Sequence, residues 1–274
     1  MRTFIVPTDF SHNAKHASAY AVQLARQLQA QVILFHVYEA PVAVSEYSVS
    51  ELHFDNMKEV IEQQLASRKQ ELEEAYGSET PIRTLALNND LISNINQLYE
   101  DPETRLAVIG LTGAGMANLL LGSNTLNIIN NVPRMVLTVP PFTKFRPIRK
   151  VLFACDMQDV THTVPAERIK RMMSLLNAEL LVLNIQRKSS SSPEALAEKA
   201  KLAGMLEGIS FSFHTLEQND IIAGIKDFAQ EQSADLVAII PHKRDFFENL
   251  LRPNHTKAIL FKSNIPILTL PMEG

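Results

Sequence analysis

Four of the nine glycines, Gly110, Gly113, Gly115 and Gly122, fall within thirteen positions, and Ser123, Asn124 and Thr125 follow directly. The segment opens with four apolar residues, 106–109, which read as a short buried strand bounded by glycine. Glycine concentrates where a backbone needs positive φ or where another group must come close to it. A strand, a glycine turn and then hydroxyl and amide residues at a helix start could hold a phosphate. Backbone N–H groups, the helix dipole and side-chain donors would all face the anion. The same glycines would equally serve a tight strand-to-helix turn that needs them for packing alone. A P-loop is excluded, because Met116 and Ala117 stand where lysine and a hydroxyl residue would be needed. A dinucleotide fingerprint would follow the first strand of its unit, and this loop follows the fourth.

Other chemistry-bearing residues point nowhere as sharply. His12 and His16 stand four apart on a helical stretch, where a solvated helix start explains them better than a metal. The single cysteine, Cys155, ends an apolar run and reads as a buried thiol in a reducing compartment. Lys243, Arg244, Arg252, His255 and Lys257 surround Phe246 and Phe247 as a basic cluster suited to an anion, an acidic partner or plain solvation. No metal-ligand spacing, catalytic triad or paired acid–base set is legible, so neither a metal nor catalytic residues are assigned.

The whole chain bounds these candidates. It has 274 residues, 46% hydrophobic and 20% charged, with a net charge of −4. That is enough apolar matter for real cores, and the slight acidity argues against a basic nucleic-acid interface. No apolar stretch approaches the length of a membrane span, and the short N-terminal apolar run ends in Pro7-Thr8-Asp9, unlike a signal segment. A cytoplasmic protein is expected.

The elements that must position the glycine loop come from an internal repeat. Residues 2–9, RTFIVPTD, return as 149–156, RKVLFACD; residues 30–37, AQVILFHV, return as 178–185, AELLVLNI. Residues 89–95, NDLISNI, return as NDIIAGI at 219–225, and LAVI at 106–109 as LVAI at 236–239. The period is that of two tandem domains, 1–143 and 144–274, joined through the proline-rich 140–147. Within each, short apolar runs alternate with helical patterns. In the first, strands are read at 3–7, 32–37, 82–87, 106–109 and 134–139. Helices start after the cap candidate Ser11, at about 50, after Asn89 or Asp90, and near Ser123. The long helix from about 50 to 76 turns Leu52, Val60, Ile61, Leu65 and Leu72 inward and ends at Gly77. The expected fold is α/β: two doubly wound, five-stranded parallel sheets between helices. Such sheets take ligands beyond their strands' carboxyl ends, which puts Pro7, Thr8, Asp9, Val37 and the glycine loop around one crevice. The second unit has Ile240-Pro241-His242-Lys243 in place of the glycines.

The strand-end run Pro7-Thr8-Asp9-Phe10-Ser11, the strand closing on His36-Val37, and GLTGAGMANLLLGSNT resemble the universal stress protein family in tandem form. That resemblance implies a Rossmann-like fold of the adenine nucleotide alpha hydrolase type. It also implies a stress-response sensor or regulator that binds ATP or a related adenine nucleotide, with magnesium, in the first domain. Asp9 would contact the sugar or base. Pro7 and Val37 would flank the adenine beside Thr8, Val37 through its backbone. Gly110 and Gly113 would let the chain pass the ribose and phosphates, and Gly122, Ser123 and Asn124 would present donors to the phosphates. The family's binding members space the glycines as G-x2-G-x9-G; here eight residues, not nine, separate Gly113 from Gly122. That departure keeps open an interaction module that binds no nucleotide. A slow ATP hydrolase or phosphotransferase is the remaining alternative, without an identified base. The protein partner is unassigned. The two fifth strands are near-identical, apolar edges, so they are expected to pair antiparallel within the chain as a pseudo-dimer.

Overall fold

The computed structural model describes residues 1–38, 51–111, 123–186, 193–240 and 264–271, with no side-chain placement for 51–55, 123, 124, 126, 193 and 194. The chain forms two compact units, Met1–Gly110 and Leu111–Gly274.

The first unit runs β1 (Thr3–Pro7), α1 (His12–Leu28), β2 (Gln31–Tyr38), α2 (Glu51–Tyr76), β3 (Ile82–Asn88), α3 (Leu91–Leu98) and β4 (Thr104–Gly110). The strands lie in the order β3-β2-β1-β4 and are parallel throughout. The apolar runs of β1, β2 and β4 are buried on both faces, as a parallel sheet covered by helices requires, while the edge strand β3 is mostly half-buried. Helix α1 packs through small residues: Ala14, Ala17, Ala21 and Ala25 are buried, so its backbone lies close to the strands. Ser11 caps it, its Oγ accepting the N–H of Ala14. Arg68 of α2 reaches back to α1, donating to the Lys15 carbonyl at 2.6 Å and to Ser18 Oγ at 3.0 and 3.2 Å. Asp90 caps α3 through Ser93 N–H at 2.9 Å. Gly77 closes α2 at φ 84°, as a residue just past a helix end should.

One sequence expectation for α2 needs correcting. Ile61, Leu65 and Leu72 are buried along one stripe, but Val60 is 53% exposed. It sits one position off the stripe, about 100° round the helix, and the charged face claims it. Leu52 falls among residues whose side chains are not described.

The second unit runs α4 (Ser123–Asn131), β5 (Val136–Val139), β6 (Lys150–Ala154), α5 (Val160–Thr163), α6 (Ala166–Leu176), β7 (Glu179–Gln186), α7 (Pro193–Met205), β8 (Phe211–Glu217), α8 (Ile221–Glu231), β9 (Leu236–Ile239) and β10 (Ile267–Thr269). Its strand order is β5-β10-β9-β6-β7-β8. Strands β6 to β10 repeat the parallel pattern of the first unit. Strand β5 runs antiparallel to β10, with Ile267 opposite Thr138, Leu268 opposite Leu137 and Thr269 opposite Val136. This is the pairing that the two like edges call for. All seven of these strand residues, Val136 to Val139 and Ile267 to Thr269, are buried. Thr269 Oγ1 adds a bond to the Val136 carbonyl at 3.1 Å. Compactness therefore divides the chain at Gly110, ahead of β5, while repetition divides it in the connector. Proline at position 165 splits the helix that follows β6 into α5 and α6, because the residue before a proline resists helical backbone.

Candidate functional site

In the first unit, strand order reverses at β1: β2 and β3 lie on one side and β4 on the other. The crevice beyond the carboxyl ends of β1 and its neighbours is therefore where a ligand belongs in such a sheet. Pro7 ends β1 opposite Phe35 of β2. Pairing then continues for one bond, Thr8 N–H to the Phe35 carbonyl at 2.8 Å.

After that bond the chain turns sharply, and successive short polar side chains hold the turn. Thr8 Oγ1 accepts the N–H of Phe10 at 3.0 Å, and Asp9 Oδ1 accepts the N–H of Ser11 at 3.0 Å. Ser11 then caps α1. Phe10 is driven to φ 61°, a left-handed conformation that bulky residues rarely take. Its ring compensates by packing on His36, with ring centroids 4.9 Å apart. The outcome is an exposed Asp9 carboxylate held in one orientation by its own turn, a few ångströms past the strand end. His36 Nδ1 lies 2.7 Å from the Thr8 carbonyl oxygen. A carbonyl only accepts, so that ring nitrogen carries the proton and donates it.

Gly110 ends β4. A Cβ added there would lie 2.5 Å from the Asn13 carbonyl oxygen and 2.8 Å from its carbon. Gly110 is thus where the first turn of α1 passes over the end of β4, and only a residue without a side chain admits that approach.

The structure therefore brings Pro7, Thr8, Asp9 and Val37 together at the ends of the paired strands β1 and β2, and places Gly110 under α1. Gly113, Gly115 and Gly122 lie outside the described residues. Ser123 and Asn124 open α4 in the second unit, with side chains outside the description. The basic cluster from Lys243 to Lys257 also lies outside it. Among the described residues, no group of three or more His, Cys, Asp or Glu could hold a metal ion, and no helix is long and apolar enough to cross a membrane.

Two residues of the site escape a sequence reading. Asn13 matters through its backbone, which no side-chain pattern reports. His36 did carry a signal: it is a polar residue inside the apolar run of β2, and its repeat counterpart Asn184 is polar as well.

The second unit repeats the turn with other side chains. Cys155 N–H donates to the Leu183 carbonyl at 2.9 Å, Asp156 Oδ1 accepts Gln158 N–H at 3.1 Å, and Met157 takes φ 55° where Phe10 takes 61°. Asn184 Nδ2 donates to the Cys155 carbonyl at 3.0 Å, as His36 does to that of Thr8. Burial pushes the Cys155 thiol up to about 12, far from nucleophilic range.

Comparison with known proteins follows this division of the chain into two repeats. The model of the family described as the universal stress protein family matches twice, over residues 1–140 and 147–271. A universal stress protein from Archaeoglobus fulgidus is 17% identical over 98% of this chain and 97% of its own, with a TM-score of 0.74. A universal stress protein from Pseudomonas aeruginosa, solved under that provisional description, is 15% identical over 99% of this chain and 94% of its own, with a TM-score of 0.55. A universal stress protein solved in complex with cAMP is 23% identical over 50% of this chain and 96% of its own, with a TM-score of 0.40. No curated protein matches the chain. At these identities the solved structures speak for the fold alone.

Proposed function

The chain belongs to the universal stress protein family, with two copies of the family domain in tandem, and from that premise we propose that its first domain binds ATP or a related adenine nucleotide and that the protein acts as a nucleotide-dependent regulator in the stress response. The domains are assigned to residues 1–143 and 144–274. The observation that carries the proposal is the turn after β1. It fixes an exposed Asp9 carboxylate beside the end of β2, where Val37 offers main-chain groups. A carboxylate with one oxygen engaged by Ser11 N–H keeps lone pairs for the hydroxyls of a ribose. Main-chain N–H and C=O groups are the natural readers of an adenine edge. On the sequence pattern, the phosphates and their magnesium fall to Gly113, Gly122, Ser123 and Asn124, beyond Gly110. Asp156 repeats the Asp9 turn in the second domain, but residues 241–263 contain no glycine, so nucleotide binding is assigned to the first domain alone.

Isothermal titration and a melting scan with magnesium and ATP test this. A ligand at about a hundred times its dissociation constant adds roughly 2.7 kcal/mol of stability, which a melting scan reads easily. Asp9→Asn keeps the acceptor for Ser11 N–H and removes the charge, so it should fold as the parent does and bind nucleotide more weakly. Absence of heat and of any melting shift at millimolar ATP would leave the second reading, an interaction module without nucleotide. The short spacing between Gly113 and Gly122 is what favours that reading.

A further inference from the structure

We propose that His36 is a positioning residue for the nucleotide: by taking the Thr8 carbonyl it ends the β1–β2 ladder one step early and leaves the Val37 main-chain N–H and C=O facing the crevice. The inference rests on the nucleotide reading above and names the residue that keeps its base-reading edge open.

The register carries the argument. Gln31 N–H donates to the Arg2 carbonyl and Phe35 accepts from Thr8 N–H, so the peptide groups of these odd-numbered residues face β1. Val32 N–H donates to the Pro81 carbonyl, so the even-numbered ones face β3. Peptide groups alternate along a strand, so those of Val37 face the β1 side at the level where β1 has ended. The next bond of the parallel ladder would run from Val37 N–H to the Thr8 carbonyl. That bond does not form among the described residues, and the acceptor is instead engaged by His36 Nδ1–H at 2.7 Å. The ring is held in place by Phe10, whose left-handed backbone belongs to the Asp9 turn. One side chain thus couples the orientation of the Asp9 turn to the free edge of β2.

The second unit shows that the bond belongs to the strand end as such, and it serves a nucleotide only in the half whose sequence also carries the glycine loop. The ladder of the second unit also stops after one bond past β6, Cys155 N–H to the Leu183 carbonyl, and the next carbonyl, that of Cys155, is taken by Asn184 Nδ2 at 3.0 Å. An imidazole in one half and an amide in the other make the same bond to the same carbonyl. The bond, not the ring, is the common feature.

Three proteins test this: the parent, His36→Leu and His36→Asn, each followed by amide exchange at Val37 and by titration with ATP and magnesium. In the parent the Val37 amide should exchange rapidly without nucleotide and slow when nucleotide is bound. In His36→Leu the freed Thr8 carbonyl takes the Val37 N–H. That amide becomes protected without nucleotide, and affinity falls about tenfold, the worth of one main-chain hydrogen bond to the ligand. His36→Asn, which copies Asn184, should restore both readouts to those of the parent. Parental affinity in His36→Leu with a fast Val37 amide overturns the inference. So does a Val37 amide in the unliganded parent as protected as that of Phe35, a result that needs no variant to fold. If the parent binds no ATP, the nucleotide reading itself fails, and the exchange contrast between parent and His36→Leu still decides whether His36 ends the ladder.

Discussion

Gly110→Ala puts a methyl group where the backbone of Asn13 already lies. The added Cβ would sit 2.5 Å from the Asn13 carbonyl oxygen and 2.8 Å from its carbon, against an ordinary contact of about 3.4 Å. The end of β4 and the first turn of α1 would have to part by up to about 0.9 Å. Neither yields cheaply. The obstructing atoms are main chain, not the end of a flexible side chain, and α1 lies on the strands through the buried methyls of Ala14, Ala17, Ala21 and Ala25. Overpacking of this kind costs about 1–3 kcal/mol, and a rigid backbone on both sides argues for the upper half of that range. At about 2–4 °C per kcal/mol for a chain of this size, the melting temperature should drop by roughly 5–10 °C. The same substitution at Gly204 has no heavy atom within 4 Å and lies on an exposed turn of α7, so it should raise stability by about 0.5–1 kcal/mol through helix propensity alone. Calorimetric scans of parent, Gly110→Ala and Gly204→Ala without nucleotide measure both signs. If Gly110→Ala melts within a degree of the parent, the close approach of α1 is not what requires glycine there, and a ligand-facing role for Gly110 becomes the better explanation.

Two further outcomes follow from the titratable groups. Hydrogen bonds from Ser93, through its side chain and its N–H, hold the Asp90 carboxyl below the usual carboxylate value. A depressed folded value means that the cap stabilises fully above the unfolded value of about 3.9 and is lost as pH falls through the folded one. Asp90→Ala should therefore lower the urea midpoint at neutral pH, and the gap to the parent should close as pH falls through the depressed folded value; a gap that stays constant with pH would contradict the cap. Cys155, buried and with its thiol pushed up to about 12, should resist thiol reagents near pH 8 in the folded protein and react fully in concentrated guanidinium. Rapid labelling of the folded protein would place that thiol at an accessible surface.

The two halves also show how one turn tolerates different side chains. Thr8 Oγ1 and Cys155 Sγ both face the N–H two residues on, at 3.0 and 3.5 Å. Asp9 and Asp156 close the next turn in the same way. What differs is the third position, Phe10 against Met157, and with it the aromatic contact that holds His36 in the first half.

Sequence alone determined what depends on neighbours along the chain. The repeat announced two copies of one unit. Apolar runs of strand length between helical stripes announced a covered parallel sheet, because strands buried on both faces cannot alternate. Ser11, Asp90 and Gly77 were legible as helix ends, since caps act within one turn. The placing of Pro7, Thr8, Asp9 and Val37 at one end of the sheet followed from strand ends and topology. Tertiary structure decided whatever depends on groups far apart in the chain. Val60 lies about 100° round α2 from the buried Ile61, and only the packed helix shows which of the two adjacent apolar residues is covered. Gly110 is required by a carbonyl on α1, nearly a hundred residues away, and no local pattern encodes a backbone's approach. Strand β5 clusters with the second unit because its antiparallel partner, β10, lies at the other end of the chain. His36 looks, in sequence, like one polar residue in an apolar strand. Only the register of β2 against β1 shows that its ring occupies the carbonyl at which the ladder stops.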